Sequence, residues 1–406
     1  GRYNDSVFYN HENYHYKNTM EIKLIIISNF LNPHQYPLSQ ELYKLTDEGF
    51  RFIELEKIPN TFVKSGYPEY DNVPWLIRAW ESESNQKEVE ELVINTPTMI
   101  AGGCAAVEKY IGKRLKHNKL TLKYSERWLK RGIINVLSPN IFRPIISYWL
   151  HFRNKPYYLL CASAFTSSDS SKFGTFKNKA FKWGYFPATD GVKDNESNYS
   201  VFHDGTGVFK IMTVCRMLNW KRPEMMIEAA KYLRDNDVKF IMDMYGSGER
   251  LNLVKQLIDR YNLNNNVVLH GNIPNEKIHE EMKHHHCLLF TSNQREGWGA
   301  VVNEAMANGC VVVGASKIGS IPYLIKDGMN GVVFEDGNQD DLNKKLHYCA
   351  IHITECESLA KEARNTISTV WSPNEAAKRL LVLADALNNK KKTPYKDGPC
   401  SLAPLL

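Results

Sequence analysis

The chain contains 406 residues, which is too long for one ordinary hydrophobic core, so we expect two domains. An apolar content of 43% and a charged content of 24% are typical of a soluble globular protein, and no apolar run reaches the roughly 18 residues of a membrane span. Eight cysteines without a C-x-x-C pair and the lack of a signal peptide lead us to expect a cytoplasmic location.

The first half of the chain alternates short apolar runs with helical patterns. Residues 1–19 have no periodicity, and we interpret them as a disordered or extended leader. The patterns place strands within 23–30, 50–56, 98–103 and 157–165, and helices within 39–45 and 87–96. Because strands that alternate with helices form parallel sheets, residues 20–187 are predicted to be one Rossmann-like α/β domain.

A polar stretch, residues 188–207, is predicted to link this domain to a second Rossmann-like domain over residues 208–371. The patterns there place strands within 208–218, 239–250, 267–274, 288–292 and 310–316, and helices over 223–233 and 301–309. A last helix is predicted over 372–387. The tail, residues 389–406, is expected to be disordered.

The stretch REGWGAVVNEAMANG, residues 295–309, carries two carboxylates, Glu296 and Glu304. Gly297 and Gly299 allow a ligand to approach the backbone closely, and the amides of residues 298–301 begin a helix, which suits a diphosphate. Carboxylates in these positions can accept hydrogen bonds from sugar and ribose hydroxyls. The arrangement therefore indicates a nucleotide-sugar site. The alternative is a solvated helix with glutamates on its surface.

Two cations follow the first strand of the second domain. Arg216 ends that strand, and Lys221 lies just before the next helix. Cations at such a strand exit can stabilise the charge that develops on a diphosphate leaving group. Exposed basic residues are usually solvated, but this position in an α/β unit favours the functional interpretation.

The motif E-G-W-G-A-V-V-N-E followed by A-M-A-N-G-C-V-V-V resembles the donor site of retaining glycosyltransferases of family 4, which have the GT-B fold. The chain resembles in particular the bacterial enzymes that build capsular or exopolysaccharide, over about residues 22–388. The resemblance implies two Rossmann-like domains that face a cleft, with the last helix, residues 372–388, crossing back to the first domain. It also implies retaining transfer of a sugar, from UDP as the expected nucleotide, to a glycan or lipid-linked acceptor.

The resemblance also assigns roles to residues. Glu296 would hold the donor sugar, Glu304 the ribose, and Arg216 and Lys221 the phosphates. The remaining predicted donor contacts are Gly297, Trp298, Gly299, Ala300, Val301, Gly246 and Ile273, the last two from a Gly turn and from a loop that meets the base.

Acceptor contacts are predicted in the first domain. The segment SNFLNPHQYPLSQELY resembles the opening of the polysaccharide enzymes and makes His34 a candidate, although a loop histidine is otherwise ordinary polar surface. Glu126 and Arg127, in YSER, are further candidates, with a salt-bridged helix start as the alternative. The loop after the first strand departs from many family members because it lacks a Gly-Gly pair.

No metal cofactor is expected, because cations and helix amides can replace a divalent ion at the leaving group. Asp235 and Asp237 form a D-x-D pattern, and three histidines occupy 284–286, but both are interpreted as structural or surface features. A GT-B epimerase or phosphorylase, and a non-catalytic protein that binds nucleotide sugars, are the alternative functions.

Positive charge is concentrated in the first domain. Residues 113–155 include eleven Lys or Arg and one acid, Glu126, with aromatic residues interleaved. This composition suits an anionic membrane surface, where lipid-linked acceptors reside, so we predict peripheral membrane docking. Nucleic acid is not expected as a partner, because no nucleic-acid motif accompanies the charge.

Overall fold

The computed structural model describes residues 20–189 and 196–406. The predicted leader, 1–19, lies outside the described residues, as does part of the predicted linker, 190–195. Within residues 20–189, the first domain contains a parallel sheet whose strands are β1 (Leu24–Ser28), β2 (Phe50–Glu54), β3 (Leu76–Arg78), β4 (Thr98–Ala101), β5 (Leu120–Ser125), β6 (Tyr157–Cys161) and β7 (Ala180–Lys182). Their order across the sheet is β3-β2-β1-β4-β5-β6-β7.

Helices cover both faces of this sheet, which is why β1, LIIIS, is buried along its whole length. They are α1 (Tyr36–Leu45), α2 (Asn60–Lys64), α3 (Glu83–Asn95), α4 (Val107–Lys116), α5 (Pro139–Ser147) and α6 (Thr166–Ser171). A short 3₁₀ turn at Ile133–Leu137 precedes α5, and a π turn at Tyr148–Phe152 continues it. The sequence patterns did not predict this helical excursion between β5 and β6.

The second domain has the same plan. Its strands are β8 (Phe209–Val214), β9 (Phe240–Tyr245), β10 (Val267–Gly271), β11 (Cys287–Phe290), β12 (Val311–Ala315) and β13 (Val332–Phe334), in the parallel order β10-β9-β8-β11-β12-β13. Its helices are α7 (Pro223–Asp235), α8 (Leu251–Arg260), α9 (Asn275–Met282), α10 (Val301–Ala307), α11 (Ile321–Leu324), α12 (Gln339–Ile351) and α13 (Ile353–Thr369). Two parallel Rossmann-like sheets confirm the predicted α/β fold class.

The last helix, α14 (Pro373–Asn388), crosses back to the first domain as predicted. The Ser372 side chain caps it by accepting a hydrogen bond from the Glu375 N–H (3.1 Å), and proline occupies its first turn. The helix packs on α1, where the Asn374 amide donates to Glu41 Oε2 (2.8 Å). This contact ties the two ends of the described chain together.

The tail, residues 389–406, is ordered, so the expectation of disorder was wrong. It pairs antiparallel with the edge strand β7, where the Cys400 N–H donates to the Lys182 carbonyl and the Lys182 N–H to the Ser401 carbonyl, both at 2.8 Å. Cys400 is fully buried. An open sheet edge presents unpaired backbone groups, and the tail satisfies them. Composition alone does not reveal this pairing.

Part of the predicted linker is also packed structure. Residues 196–203 form 3₁₀ turns, in which Tyr199, Val201 and Phe202 are buried. The Phe202 ring meets His286 edge-on, with 5.1 Å between ring centroids. These apolar side chains belong to the core of the second domain, so the independent part of the linker is shorter than predicted. Among the described residues, no helix is long and apolar enough to cross a membrane.

Candidate active site

The sheet topology explains why particular loops meet. In each sheet the strand order reverses once, between β1 and β4 in the first domain and between β8 and β11 in the second. Ligands of open parallel sheets bind at such reversal points, beyond the carboxyl ends of the strands. The loops that leave β8 and β11 therefore lie side by side, although they are distant in sequence.

Lys221 and Glu296 form an ion pair at the reversal point of the second sheet. Their side chains are only 12% and 13% exposed. The two loops are held in register by hydrogen bonds from the Asn293 N–H to the Trp220 carbonyl (3.0 Å) and from the Thr291 hydroxyl to the Lys221 carbonyl (2.7 Å). The predicted sugar-binding carboxylate and a predicted phosphate-binding cation are thus brought together and fixed in position.

The loop after Glu296 presents free backbone donors. Within the part of the chain that the structure describes, the N–H groups of residues 297–301 donate no hydrogen bond. Gly299 has φ of +83°, a conformation that glycine adopts without strain. Free amides beside a lysine are suited to oxyanions of a phosphate. This geometry agrees with the donor contacts predicted at Gly297, Gly299, Ala300 and Val301.

Trp298 is different, because its side chain is 1% exposed and cannot contact a ligand. Its indole N–H donates to Asn303 Oδ1 (2.8 Å), and its ring packs against Tyr323 and Trp371. A Cβ on Gly184 would come within 2.5 Å of this ring, so glycine is required there. The side chain of Trp298 belongs to an aromatic cluster between the domains, and only its backbone is available to a donor.

Glu304 lies on α10, and its side chain is 9% exposed. Its Oε1 lies 3.3 Å from His279 Nε2 on α9. The carboxylate remains able to accept further hydrogen bonds, as the predicted ribose contact requires. His279 was not identified from the sequence, where nothing distinguishes it from other polar helix residues.

Arg216 is exposed, and among the described residues its guanidinium forms no ion pair or hydrogen bond. The pKa of Tyr67, which follows α2 in the first domain, is raised by burial and by the charge of Glu304, whereas the charge of Arg216 lowers it. Tyr67 therefore lies across the cleft, within electrostatic reach of both groups. The sequence did not indicate this residue.

His34 lies in the loop after β1, between carboxylates of the two domains. Burial lowers its pKa, while the charges of Glu304 and Glu126 raise it. The imidazole stacks on Tyr185 with 5.6 Å between ring centroids, and its Nδ1 is buried with no hydrogen-bond partner among the described residues. A neutral imidazole at this position can bind a hydroxyl, which agrees with the predicted acceptor role.

Glu126 follows β5 and faces the second domain. It accepts hydrogen bonds from the Tyr185 hydroxyl and from Lys130. A Cβ on Gly297 would overlap the Glu126 carboxylate, so the two domains touch at this point. Burial and the Glu126 charge raise the pKa of Tyr185 well above its ordinary value. Glu126 thus lies on the first-domain side of the cleft, where the acceptor was predicted, directly opposite the loop of Gly297.

The loops after β1 and β5 are joined beside this site. The Tyr124 hydroxyl is hydrogen-bonded to Ser28 Oγ and accepts from Gln35 Nε2, both at 2.7 Å. Burial raises the pKa of Tyr124 to about 12, so it stays neutral. A Cβ on Gly103 would come within 3.1 Å of this hydroxyl, so the loop after β4 also closes on it.

Arg127 does not share this environment. Its guanidinium binds Asp169 Oδ1 at 3.0 Å, and the buried Asp169 also accepts from the Leu129 N–H (2.9 Å). The ion pair between Arg127 and Asp169 holds the chain after β5 against α6. The contacts of Arg127 with Asp169 give it a structural role, and its predicted acceptor contact stays a prediction.

Gly246 and Ile273 lie at the edge of the donor half. A Cβ on Gly246 would collide with the Cys215 backbone, and its φ is +126°, so the residue is required for the close approach of two loops. Ile273 is partly buried beyond β10 and packs on the core. The side chains give neither residue a direct role, and their predicted donor contacts remain predictions.

The discounted motifs have separate partners. His285 Nε2 lies 2.9 Å from Asp243 Oδ2, and the Lys210 N–H donates to His286 Nδ1 (2.9 Å). His284 is exposed beside Glu280. Asp235 binds Lys231 and Arg234 on the surface of α7. The three histidine rings therefore point to different neighbours.

Known proteins resemble this chain in its fold and, over part of its length, in its sequence. Solved structures that resemble the chain over most of its length are GT-B glycosyltransferases, so this chain has the GT-B fold. Residues 202–366 match the family model described as glycosyl transferases group 1. The matched range contains Arg216, Lys221, Glu296 and Glu304.

Two curated relatives match part of the chain. It is 28% identical over 195 residues to the poly(ribitol-phosphate) alpha-N-acetylglucosaminyltransferase of Staphylococcus aureus (strain COL), a match that covers 46% of this chain and 38% of that protein. It is 28% identical over 138 residues to the poly(glycerol-phosphate) alpha-glucosyltransferase of Bacillus subtilis (strain 168), covering 34% of this chain and 20% of that protein. The chain therefore spans well under half the length of these relatives.

The structural similarity is broader. The crystal structure of TarM, a protein of S. aureus, aligns with a TM-score of 0.65 and 13% identity, covering 92% of this chain and 99% of that chain. The Anabaena protein HepE, in complex with UDP and glucose, aligns with a TM-score of 0.63 and 14% identity, covering 89% of this chain and 99% of that chain. At this level of identity the similarity establishes the fold alone.

Proposed function

We propose that this protein is a retaining glycosyltransferase of family 4 that transfers a sugar from a nucleoside diphosphate sugar, UDP-sugar by preference, to a glycan or lipid-linked glycan. The product would serve cell-surface polysaccharide synthesis of the capsular type. One observation carries the proposal: a largely buried lysine, paired with a carboxylate, lies beside free backbone amides at the reversal point of the second sheet. The group 1 domain match over residues 202–366 supports it.

The geometry suggests how each group acts. As the bond to the diphosphate breaks, negative charge grows on the phosphate and positive charge on the sugar. Lys221, the exposed Arg216 and the amides of residues 297–301 stabilise the phosphate charge. Glu296 holds Lys221 in place and orients the donor sugar, while Glu304 accepts from the ribose. On the opposite wall, His34 and Glu126 bind the acceptor hydroxyl.

Two further features belong to the proposal. Because cations and amides serve the leaving group, we expect no metal cofactor, and activity should persist in EDTA. Complete loss of activity that added metal restores would contradict this expectation. Two relatives are named for transfer to polymers of ribitol phosphate and glycerol phosphate, which makes such polymers an acceptor class to test beside neutral glycans.

Membrane docking remains part of the proposal, with a smaller positive surface than the sequence suggested. Arg114 is fully buried, where its guanidinium donates to four or more backbone carbonyls, including those of Val93 (2.9 Å) and Leu120 (2.6 Å). Arg127 and Lys130 are paired with acids. The helical excursion nevertheless exposes apolar side chains: Ile133 (76%), Ile134 (73%), Leu137 (79%) and Leu150 (70%).

Apolar residues next to cations suit an acidic bilayer surface. In flotation with liposomes, binding should require anionic lipid and fall with salt. It should also fall when Lys130 and Arg131 are replaced by Glu. If flotation does not depend on the charge of the lipid, the proposal of membrane docking is refuted.

The central test is hydrolysis of a donor panel. Slow release of free sugar from one of the UDP-, GDP-, ADP- or CMP-sugars is expected of a transferase without acceptor. A thermal-shift screen over the same panel identifies the ligand independently, because saturation at 100 times the Kd stabilises the fold by about 2.7 kcal/mol. Glu276→Ala, an exposed position on α9, serves as the matched control for Glu296→Ala. Binding of a nucleotide sugar without any turnover would favour the non-catalytic alternative.

A further inference from the structure

A broad trough opens in the first domain and reaches the acceptor side of the cleft. It encloses about 1330 Å³, more than the roughly 300–1,000 Å³ of an ordinary small-ligand site. One wall is α4 and the other is α5 with the π turn that follows it. Glu126 and Tyr185 line its inner end, next to Gly297 of the donor loop. The trough is thus continuous with the candidate active site.

The length of the trough follows from its walls. The amino end of α4 lies at the carboxyl edge of the sheet, near the cleft, and its last residue, Lys116, lies near the opposite edge. At 1.5 Å per residue, the ten residues of α4 give a wall about 15 Å long. A ligand that fills this space is therefore extended, and one sugar ring would leave most of it empty.

The lining of the trough is basic. Among the described residues, its cations are Lys109, Lys113, Lys116, Lys123, Arg143 and Lys155, against the carboxylates of Glu108 and Glu126.

Pairing inside the protein removes only part of this charge. Lys123 pairs with Glu108, and Lys113 with Glu90 outside the trough. The remaining four cations form no ion pair with any described residue. Lys155 binds only the neutral amide oxygen of Asn118 (2.7 Å).

Charge is also graded along the trough. The carboxylate of Glu126 lies at the inner end, and His34 stacks on Tyr185 beside it. Three of the unpaired cations lie farther out along the two walls: Lys116, Arg143 and Lys155. The fourth, Lys109, lies in the first turn of α4, nearer the cleft. A ligand that matches this pattern has a neutral hydroxyl at its reacting end and anionic groups along its length. Carboxylates accept hydrogen bonds from hydroxyls, and lysine and arginine bind phosphate oxygens.

We propose that the trough binds a linear phosphodiester polymer, whose hydroxyl-bearing unit reaches Glu126 and His34 while its phosphates contact the cations of the walls. The proposal rests on the proposed function, since it makes the trough the path by which the acceptor enters the cleft. An anionic bilayer is the alternative ligand for these cations. A nearly flat lipid surface cannot reach cations inside a concave trough, so the geometry favours a chain.

A binding assay tests the proposal that the trough holds a phosphodiester chain. A short, fluorescently labelled oligomer of glycerol phosphate is added to the whole protein without any donor, and its binding is measured by fluorescence anisotropy. The wild-type protein should bind this oligomer and should not bind a neutral oligosaccharide of equal length. Lys116→Ser with Arg143→Ser removes one unpaired cation from each wall. Because the double variant loses two exposed charge contacts, it should bind the oligomer about two- to thirtyfold more weakly. Both side chains are exposed, so thermal melting should be unchanged.

Lys87→Ser with Lys172→Ser is the matched control, because both lysines are exposed and lie outside the trough. This variant should bind the oligomer as the wild type does. Equal losses in the trough and control variants, or no binding by the wild type, would overturn the proposal. Unchanged oligomer binding with reduced binding to phosphatidylglycerol vesicles would overturn it in favour of a membrane.

Donor hydrolysis by the wild type, measured without oligomer, tests the proposed function separately. Hydrolysis of a donor without binding of the oligomer would refute polymer binding in the trough and would support the proposed transferase function. If the trough variant weakens oligomer binding but no donor is hydrolysed, polymer binding in the trough is supported and the transferase function is refuted.

Discussion

Replacing Gly297 by alanine tests the contact between the two domains. A Cβ on Gly297 would overlap the Glu126 carboxylate, with Oε1 only 2.6 Å away. Gly297 does not have a left-handed φ, so its backbone accepts alanine without strain. The carboxylate must therefore turn away, and it gives up the hydrogen bonds from the Tyr185 hydroxyl and from Lys130. The substitution thus acts through a residue of the other domain.

The magnitude follows from these lost bonds. A buried hydroxyl without an acceptor costs about 1–3 kcal/mol, and burial of Tyr185 is what raises its pKa. The partly exposed pair of Lys130 and Glu126 adds at most about 1 kcal/mol. Replacing glycine by alanine restricts the unfolded chain and returns about 0.4–1 kcal/mol. We expect Gly297→Ala to destabilise the protein by about 1–3 kcal/mol.

A double-mutant cycle with Glu126→Ala isolates the contact. Once Glu126 is alanine, the added Cβ has nothing to displace, so the double variant should be more stable than Glu126→Ala alone, by the roughly 0.4–1 kcal/mol that alanine gains over glycine. Urea unfolding followed by tryptophan fluorescence measures each variant. Gly112→Ala is the control, because its Cβ would lie 3.8 Å from Phe152, an ordinary contact. Additive effects of Gly297→Ala and Glu126→Ala would refute the closed contact.

Three further predictions concern the donor half and pH. Glu296→Ala should lower turnover at saturating donor by roughly a hundredfold, and unchanged turnover would refute its role. Arg216→Ala and Lys221→Ala should weaken binding of a nucleoside diphosphate more than that of the nucleoside, by calorimetry; equal losses would argue against a phosphate clamp. Burial lowers the pKa of His286 to about 4, so its contribution to stability is complete above pH 6.5 and is lost as pH falls to about 4, by about 3 kcal/mol. His286→Gln should flatten the dependence of melting temperature on pH in that window, and the exposed control His284→Gln should not.

The donor half could be predicted because its signals are local in sequence. Glu296 and Glu304 belong to one strand-loop-helix segment, and Lys221 follows the first strand of a recognisable domain. The order of the second sheet, which places β8 beside β11, then brings Lys221 to Glu296. Once a parallel sheet is predicted, polar residues at neighbouring strand exits are expected to meet.

The acceptor half could be predicted only in part. Four residues of this half, His34, Glu126, Tyr67 and Tyr185, come from separate loops of the first domain. Their proximity depends on the strand order of its sheet and on the packing of these loops. Arg127 follows Glu126 directly in sequence, yet it turns to Asp169 instead of the cleft. Adjacent loop residues point in different directions, and a buried acid from a distant helix decides which of them remains free.

The trough and the tail escaped prediction for a related reason. The α5 helix contains two prolines, and one of them, Pro144, lies inside the helix, so its sequence did not indicate a helix although its apolar residues follow a helical period. Its partner, α4, has ordinary amphipathic spacing, and only their juxtaposition creates a cavity. The polar composition of the tail suggested disorder, but the edge of β7 gave its backbone groups partners. Both features depend on contacts between distant segments.

The charges of the cleft fit one division of labour between the domains. In the second domain, Glu296 partly neutralises Lys221, while Arg216 remains free for an anionic donor. In the first, burial outweighs two nearby carboxylates and lowers the pKa of His34, which therefore stays uncharged near neutral pH. A neutral imidazole does not compete for the diphosphate, whereas a protonated one would. In the proposed reaction, these charges would direct the donor to one wall of the cleft and a hydroxyl to the other.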